Sequence, residues 1–201
     1  FFIKMVIFMF LITNRKLVNR EKYFNTIEEA GKYGVKNIIL REKDLSTKEL
    51  IKIYIKIKEL VPEETNIIIN SNIEATMILK EKFIHLSFKD FKRNLEEVKS
   101  LQVGVSVHSI LEAIEADRLG ASYILVSPIF ETQCKKGVTP KGINFIKEIK
   151  EKVNCNVIAL GGINEHNFKE VLGAGADDFA CMSLLFMSNN IKKSLYTFKS
   201  L

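Results

Sequence analysis

Eight short apolar, β-branched runs alternate with helical patterns along the 201 residues. This predicts an α/β protein, and eight successive βα units predict a closed (β/α)8 TIM barrel. The runner-up is a doubly wound open sheet. That fold usually has fewer strands and places a glycine-rich turn after the first, where this chain has Thr13-Asn14-Arg15-Lys16. With only 3 Pro and 10 Gly and no long Pro/Gly/Ser linker, the chain reads as a single domain over residues 1–201.

The first strand is expected at Val6–Ile12. The apolar run around it is too short for a membrane span. Asn14-Arg15-Lys16 stands where a signal peptide would need small cleavage-site residues, so a buried strand is the reading. Residues 1–4 form a possible N-terminal extension. A helix at Thr26–Tyr33 leads to the strand Asn37–Arg41. Ser46 and Glu49 have capping-box spacing ahead of Leu50, Ile51, Ile53, Tyr54, Ile57 and Leu60. A strand follows at Asn66–Asn70, a helix at Ile73–Lys80, a strand at Phe83–Leu86, a helix at Phe91–Ser100 and a strand at Val103–Val107. Ser109 and Glu112 repeat the capping spacing before Ala113, Ile114, Ala116 and Leu119, and Gly120 stops that helix. The remaining strands are Tyr123–Ser127, Asn156–Leu160 and Asp178–Met182. The remaining helices are Ile143–Lys152, Asn167–Leu172 and Ile191–Phe198.

Hydrophobic residues make up 47% of the chain, enough for one sizeable core. The net charge of +6 comes from lysines scattered over helix faces, such as Lys48, Lys52, Lys56 and Lys58. Without a basic block and interleaved aromatics, no nucleic-acid partner is expected, and no membrane partner either. The odd set Cys134, Cys155 and Cys181 lacks metal-like spacing and reads as reduced thiols in a cytoplasmic protein. No His/Asp/Glu cluster has metal spacing.

In a barrel of this class, chemistry sits at the C-terminal ends of the strands, with phosphate often held after strands seven and eight. There the chain has Gly161-Gly162 and, after strand eight, Ser183. Glycines let an anion approach backbone N–H groups, and Ser183 adds a hydroxyl at the start of a short helix. The plain alternative is a tight turn. Along the fifth strand, alternation puts Gly104, Ser106 and His108 on one face, so His108 is either an acid/base at the barrel mouth or a structural histidine. Arg41 and Lys43 share a face after strand two and could hold an anion or form a surface ion pair. Asn70-Ser71-Asn72, at the end of strand three, could bind a ring or cap the next helix, and the local sequence favours the cap. The loop Pro128–Gly142, with Thr132 and Lys135, suits a lid over an anionic ligand or a plain surface loop. His85 and His166 read as structural.

Several runs together are similar to the thiamine phosphate synthase/TenI superfamily along nearly the whole chain. They are Leu40-Arg41-Glu42-Lys43-Asp44-Leu45-Ser46, Ile69-Asn70, Gly104-Val105-Ser106-Val107-His108-Ser109, Tyr123 to Lys136, Ile158 to Ile163, and Ala174-Gly175-Ala176-Asp177. The resemblance implies a (β/α)8 barrel, a small phosphorylated thiazole as substrate, and a possible homodimer. It also implies one of two activities. The synthase branch joins a pyrimidine diphosphate to a thiazole phosphate with Mg2+. Its residue pattern is departed from here: Ile39 and Phe88 stand where it has Gln, and Ser71 stands where it has a metal-binding Asp, while Asp90 keeps the second carboxylate. The TenI branch isomerises a carboxythiazole phosphate to its aromatic tautomer with neither metal nor cofactor. Residues 105–109 and 130–137 look closer to that branch.

The expectation is therefore a thiazole tautomerase, an isomerase. His108 would move the proton, and Gly161, Gly162 and Ser183 would hold the phosphate. Arg41, Lys43, Asn70, Ser106, Thr132 and Lys135 would contact the substrate. The alternatives are the Mg2+-dependent synthase and a non-catalytic regulator that binds thiamine-pathway ligands.

Overall fold

A computed structural model of the chain describes residues 7–132 and 137–198. Expectations on residues 1–6, Cys134 and Lys135 lie outside them. Eight parallel strands close a barrel in sequence order, β1 through β8, the (β/α)8 fold expected. They are β1 (Ile7–Ile12), β2 (Val35–Leu40), β3 (Asn66–Asn70), β4 (Phe83–Ser87), β5 (Gln102–Val107), β6 (Tyr123–Val126), β7 (Asn156–Leu160) and β8 (Asp178–Cys181). The helices among the described residues are α1 (Arg20–Lys32), α2 (Thr47–Leu60), α3 (Ile73–Ile78), α4 (Phe88–Arg93), α5 (Leu95–Val98), α6 (Ile110–Arg118), α7 (Gly142–Lys150), α8 (Phe168–Gly173), α9 (Ser183–Phe186) and α10 (Ile191–Thr197). None of them is long and apolar enough to cross a membrane.

The chain groups into two compact units, Phe1–Leu79 with Cys181–Leu201, and Lys80–Ala180. In the first, β1 pairs with β2 and β2 with β3, and Leu11, Ile38, Leu40, Ile57 and Ile68 are buried. In the second, pairing runs from β4 to β8, and Ile84, Val105, Ile124, Val126, Ile158 and Phe179 are buried. Every residue of β6 is buried, which is why it reads as an unbroken apolar run rather than an alternation.

The element boundaries differ from the sequence reading where polar caps decide them. α1 starts six residues before Thr26, because the Lys22 N–H donates to Asn19 Oδ1 at 2.9 Å and caps the helix there. The helix expected at Phe91–Ser100 is two short ones. Ser87 caps the first through the Asp90 N–H (3.1 Å), and Asn94 (φ −117°, ψ 24°) breaks the run. The Ser46–Glu49 capping box forms as expected, with Ser46 N donating to Glu49 Oε2 at 2.9 Å. The second capping pair works differently. Ser109 Oγ accepts from the Glu112 N–H (3.1 Å), but the Glu112 carboxylate accepts from the His108 N–H (2.6 Å) rather than that of Ser109. That bond ties the residue after β5 to the start of α6. β2 ends at Leu40, so Arg41 belongs to the following loop rather than the strand.

Candidate active site

The unit spanning Lys80–Ala180 holds His108, Ser106, Thr132 and both glycines. His108 is exposed, directly after β5, and its Nδ1 lies 3.0 Å from the Ser127 carbonyl oxygen. A carbonyl only accepts, so Nδ1 carries a proton and donates it. Ring and backbone are thus both anchored, and one nitrogen remains to exchange a proton. Both readings of His108 stay open, for it is exposed at the strand end and also hydrogen-bonded through ring and backbone. Thr132 is half-buried at the edge of the described loop.

Gly161 and Gly162 have φ values of +107° and +67°, in the region glycine enters without a Cβ penalty. Packing requires them as well. A Cβ on Gly161 would lie 2.9 Å from Pro128 Cα, and one on Gly162 would lie 2.5 Å from the Glu131 carbonyl oxygen. The β6 loop runs alongside this turn, with Ile129 N donating to Leu160 O and Phe130 N to Gly161 O, each at 3.0 Å. Asn167 Nδ2 donates to Gly162 O at 3.0 Å and fixes the far side of that peptide. Among the described residues, no hydrogen bond engages the N–H of Gly162 or Ile163. The turn therefore presents oriented, unspent amides, the chemistry an anion needs.

Beneath this surface lies a polar group that sequence reading assigned no function. His85, 3% exposed, places Nδ1 2.9 Å from Tyr123 Oη and Nε2 2.8 Å from Ser106 Oγ. His85 is buried, as a structural reading requires, but it is joined to a site candidate. The available signal was Gly104, a glycine inside a strand, which marks a close approach by a neighbour.

The other unit holds Arg41, Lys43, Asn70 and Ser183. Arg41 is half-buried and its N–H donates to Thr13 Oγ1 at 3.0 Å, while Lys43 is exposed. The ion pairs of this region use other groups, for Asp44 is met by Arg15 at 2.8 Å and by Lys16 at 3.0 Å. These cations hold the Asp44 carboxyl below its ordinary value, the Lys16 bond contributing most. Glu42, 6% exposed, organises the loop after β1. It accepts from Thr13 Oγ1 (2.8 Å), Tyr23 Oη (2.9 Å) and the Arg15 N–H (3.1 Å to each oxygen). The polar run Thr13–Lys16 after the first strand was the visible signal for this cluster. Asn70 ends β3 and donates to Ser71 Oγ at 2.7 Å, and Ser71 has φ +63°, an uncommon conformation for a serine. The run Asn70-Ser71-Asn72 does cap α3, as the local sequence favours: the cap is Asn72, whose Oδ1 accepts from the Ala75 N–H at 2.8 Å. Ser183 opens α9 and is half-buried.

Comparison with known proteins supplies what the geometry leaves open. The family model described as thiamine monophosphate synthase matches residues 9–185. A thiamine-phosphate synthase of Clostridium acetobutylicum is 33% identical over 188 residues, covering 92% of this chain and 89% of that protein. One from Clostridium tetani is 32% identical over 191 residues, covering 92% and 91%. Among solved structures, a thiamine phosphate pyrophosphorylase from Pyrococcus furiosus superposes with a TM-score of 0.83 at 26% identity, covering 94% of this chain and 92% of that one. These matches overturn the expectation of a thiazole tautomerase, and with it the isomerase class. That expectation rested on Ile39, Ser71 and Phe88, which depart from the synthase pattern, and on residues 105–109 and 130–137. The synthase-named relatives match over nearly the whole barrel, and four residues of the second segment lie outside the described structure.

Proposed function

The chain belongs to the thiamine monophosphate synthase family, and from that premise we propose that it is a transferase that joins the carbon bearing the diphosphate of a pyrimidine diphosphate to the ring nitrogen of a thiazole phosphate, releasing diphosphate and giving thiamine phosphate. The observation that carries this reading is the 33% identity to a thiamine-phosphate synthase over 92% of the chain. The site geometry is compatible with it. The Gly161-Gly162 turn offers amides to a phosphate, and Ser183, at the start of α9, is proposed to offer a hydroxyl. Arg41 and Lys43 supply positive charge for a diphosphate, with Lys135 from the loop. Asn70, Ser106 and Thr132 contribute neutral polar contacts. His108, anchored through Nδ1 to the Ser127 carbonyl and exposed just after β5, stands as the residue proposed to face the reacting ends of the substrates.

The resemblance brings Mg2+ with this activity, and the donor set does not fit a chain-built site for it. Among the described residues no group of three or more His, Cys, Asp or Glu side chains is placed to hold a metal. The end of β3 offers Asn70 and Ser71, both neutral, where a hard dication favours carboxylate oxygens. Asp90 is already engaged, accepting from Ser87 Oγ at 2.6 Å. In this reading the anionic substrates are held by backbone amides and cationic side chains.

The test is direct. Purified chain given both substrates and Mg2+ should form thiamine phosphate, detected by mass or fluorescence, and its absence under these conditions would overturn the assignment. His108→Asn should lower turnover about tenfold, the scale of one hydrogen bond to a charged group. An unchanged rate would remove His108 from the mechanism.

A further inference from the structure

The two carbonyls of the Gly161-Gly162 turn are held by different kinds of donor. Phe130 N donates to Gly161 O at 3.0 Å, a main-chain bond from the β6 loop. Gly162 O is met by side chains instead, Asn167 Nδ2 at 3.0 Å and Asn164 Nδ2 at 3.4 Å. The difference matters because a trans peptide is planar, with its carbonyl and its N–H on opposite sides. Both peptides here are trans. Whatever holds the Gly161 oxygen therefore directs the Gly162 N–H, and whatever holds the Gly162 oxygen directs the Ile163 N–H. These are the two N–H groups that no hydrogen bond engages among the described residues.

Glycine leaves the second direction soft. Without a Cβ, Gly162 (φ +67°) permits rotations of the following peptide that other residues resist. The direction has to be fixed from outside, and Asn167 is placed to fix it. It stands at the N-cap of α8, where an asparagine ordinarily accepts from an N–H in the first turn, yet it makes no such bond. Its amide bridges two main-chain groups of the turn. Oδ1 accepts from the Asn164 N–H at 2.8 Å while Nδ2 donates to Gly162 O. A main-chain N–H only donates and a carbonyl only accepts, so the two ends of this amide cannot be exchanged.

We propose that Asn167 is a positioning residue of the anion site: by holding the Gly162 carbonyl, it aims the Ile163 N–H at the phosphate of a bound phosphomonoester. The Gly162 N–H, which Phe130 directs through the main chain, is independent of it. That the phosphomonoester is thiazole phosphate rests on the transferase reading above, whereas the peptide orientation does not.

The test follows the Gly162 and Ile163 amides separately in 15N–1H spectra. Inorganic phosphate and thiazole phosphate should each move both amide protons downfield in the unsubstituted protein. Amides that respond to neither anion overturn the proposal. Asn167→Ser withdraws the donor but leaves α8 with a good capping residue. In that variant the Gly162 response should persist and the Ile163 response should vanish. The Kd for thiazole phosphate should rise about tenfold, the scale of one hydrogen bond to a charged group, while Tm holds or rises. Two outcomes overturn the proposal: both responses persisting, or both vanishing together with a fall in Tm, which is what ordinary support of the loop would give. If Asn167→Ser fails to fold, a crystal structure of the unsubstituted protein with phosphate decides. The anion should lie within hydrogen-bond distance of Ile163 N with Asn167 Nδ2 still on Gly162 O, and a phosphate bound away from Ile163 N overturns the proposal. Amides that respond to inorganic phosphate but not to thiazole phosphate refute the transferase reading and leave the orientation by Asn167 standing.

Discussion

Glu42 and His85 are both buried polar hubs near strand ends, one in each compact unit, and they are built from different materials. Glu42 accepts one backbone N–H and two hydroxyls, drawn from the loop after β1 and from α1. His85 meets two side-chain hydroxyls, both on strands of its own sheet. A buried carboxylate is tolerable only when donors surround it, and once surrounded it pins every segment that supplies one. The two hydrogen bonds described for His85 are both to side chains. The charged hub therefore belongs to the architecture that presents Arg15 and Arg41, while the imidazole links three neighbouring strands through their side chains.

The contrast can be broken by substitution. The largest effect is expected at Glu42. Glu42→Ala strands three donors at once and should destabilise the fold by about 3 kcal/mol in urea titration. A cost under about 1 kcal/mol would mean the loop after β1 is not anchored there. Gly162→Ala comes next, at about 2 kcal/mol, because it combines a left-handed φ of +67° with a Cβ 2.5 Å from a carbonyl oxygen. It should also weaken phosphate binding, since the β6 loop must move to accommodate it. His85→Gln should cost only about 1 kcal/mol. A loss as large as that of Glu42→Ala would erase the distinction drawn between the hubs.

An effect of another kind is expected at Asp178, the first residue of β8, because it depends on pH. Burial pushes its carboxyl up to about 7, with the neighbouring Asp177 charge adding to the rise and the Phe179 N–H opposing it. The folded protein then holds this proton more tightly than the unfolded chain does. The contribution to stability is full below the unfolded value, near 4, and is lost as pH rises to 7. Asp178→Asn should flatten the decline in Tm between pH 4 and 7 and raise Tm at pH 8. An unchanged profile would show that the carboxylate is solvated in the folded state.

The fold was legible because strand periodicity is local and eight apolar runs repeat it. Much of the candidate site was legible for a related reason. Barrel chemistry sits at strand ends, so Gly161, Gly162 and His108 stood out by position alone. Glu42 and the cluster it holds were not legible, because a carboxylate beside Arg41 and Lys43 looks like part of a surface turn until Thr13 and Tyr23 close around it. The capping role of Asn19 was missed for a simpler reason: the apolar period starts later than the hydrogen-bonded helix.

The sequence by itself determined the order of the elements, the parallel sheet and the glycine turn after β7, since each depends on residues close together in the chain. Tertiary structure decided which polar groups meet. His85, Gly104 and Tyr123 form one layer only because β4, β5 and β6 pair in that register, a long-range choice that no local pattern encodes. The same holds for Glu42, whose partners Thr13 and Tyr23 lie 29 and 19 residues away. Hydrogen-bond partners are set by distances of about 3 Å in space, and only packing brings such distant residues that close.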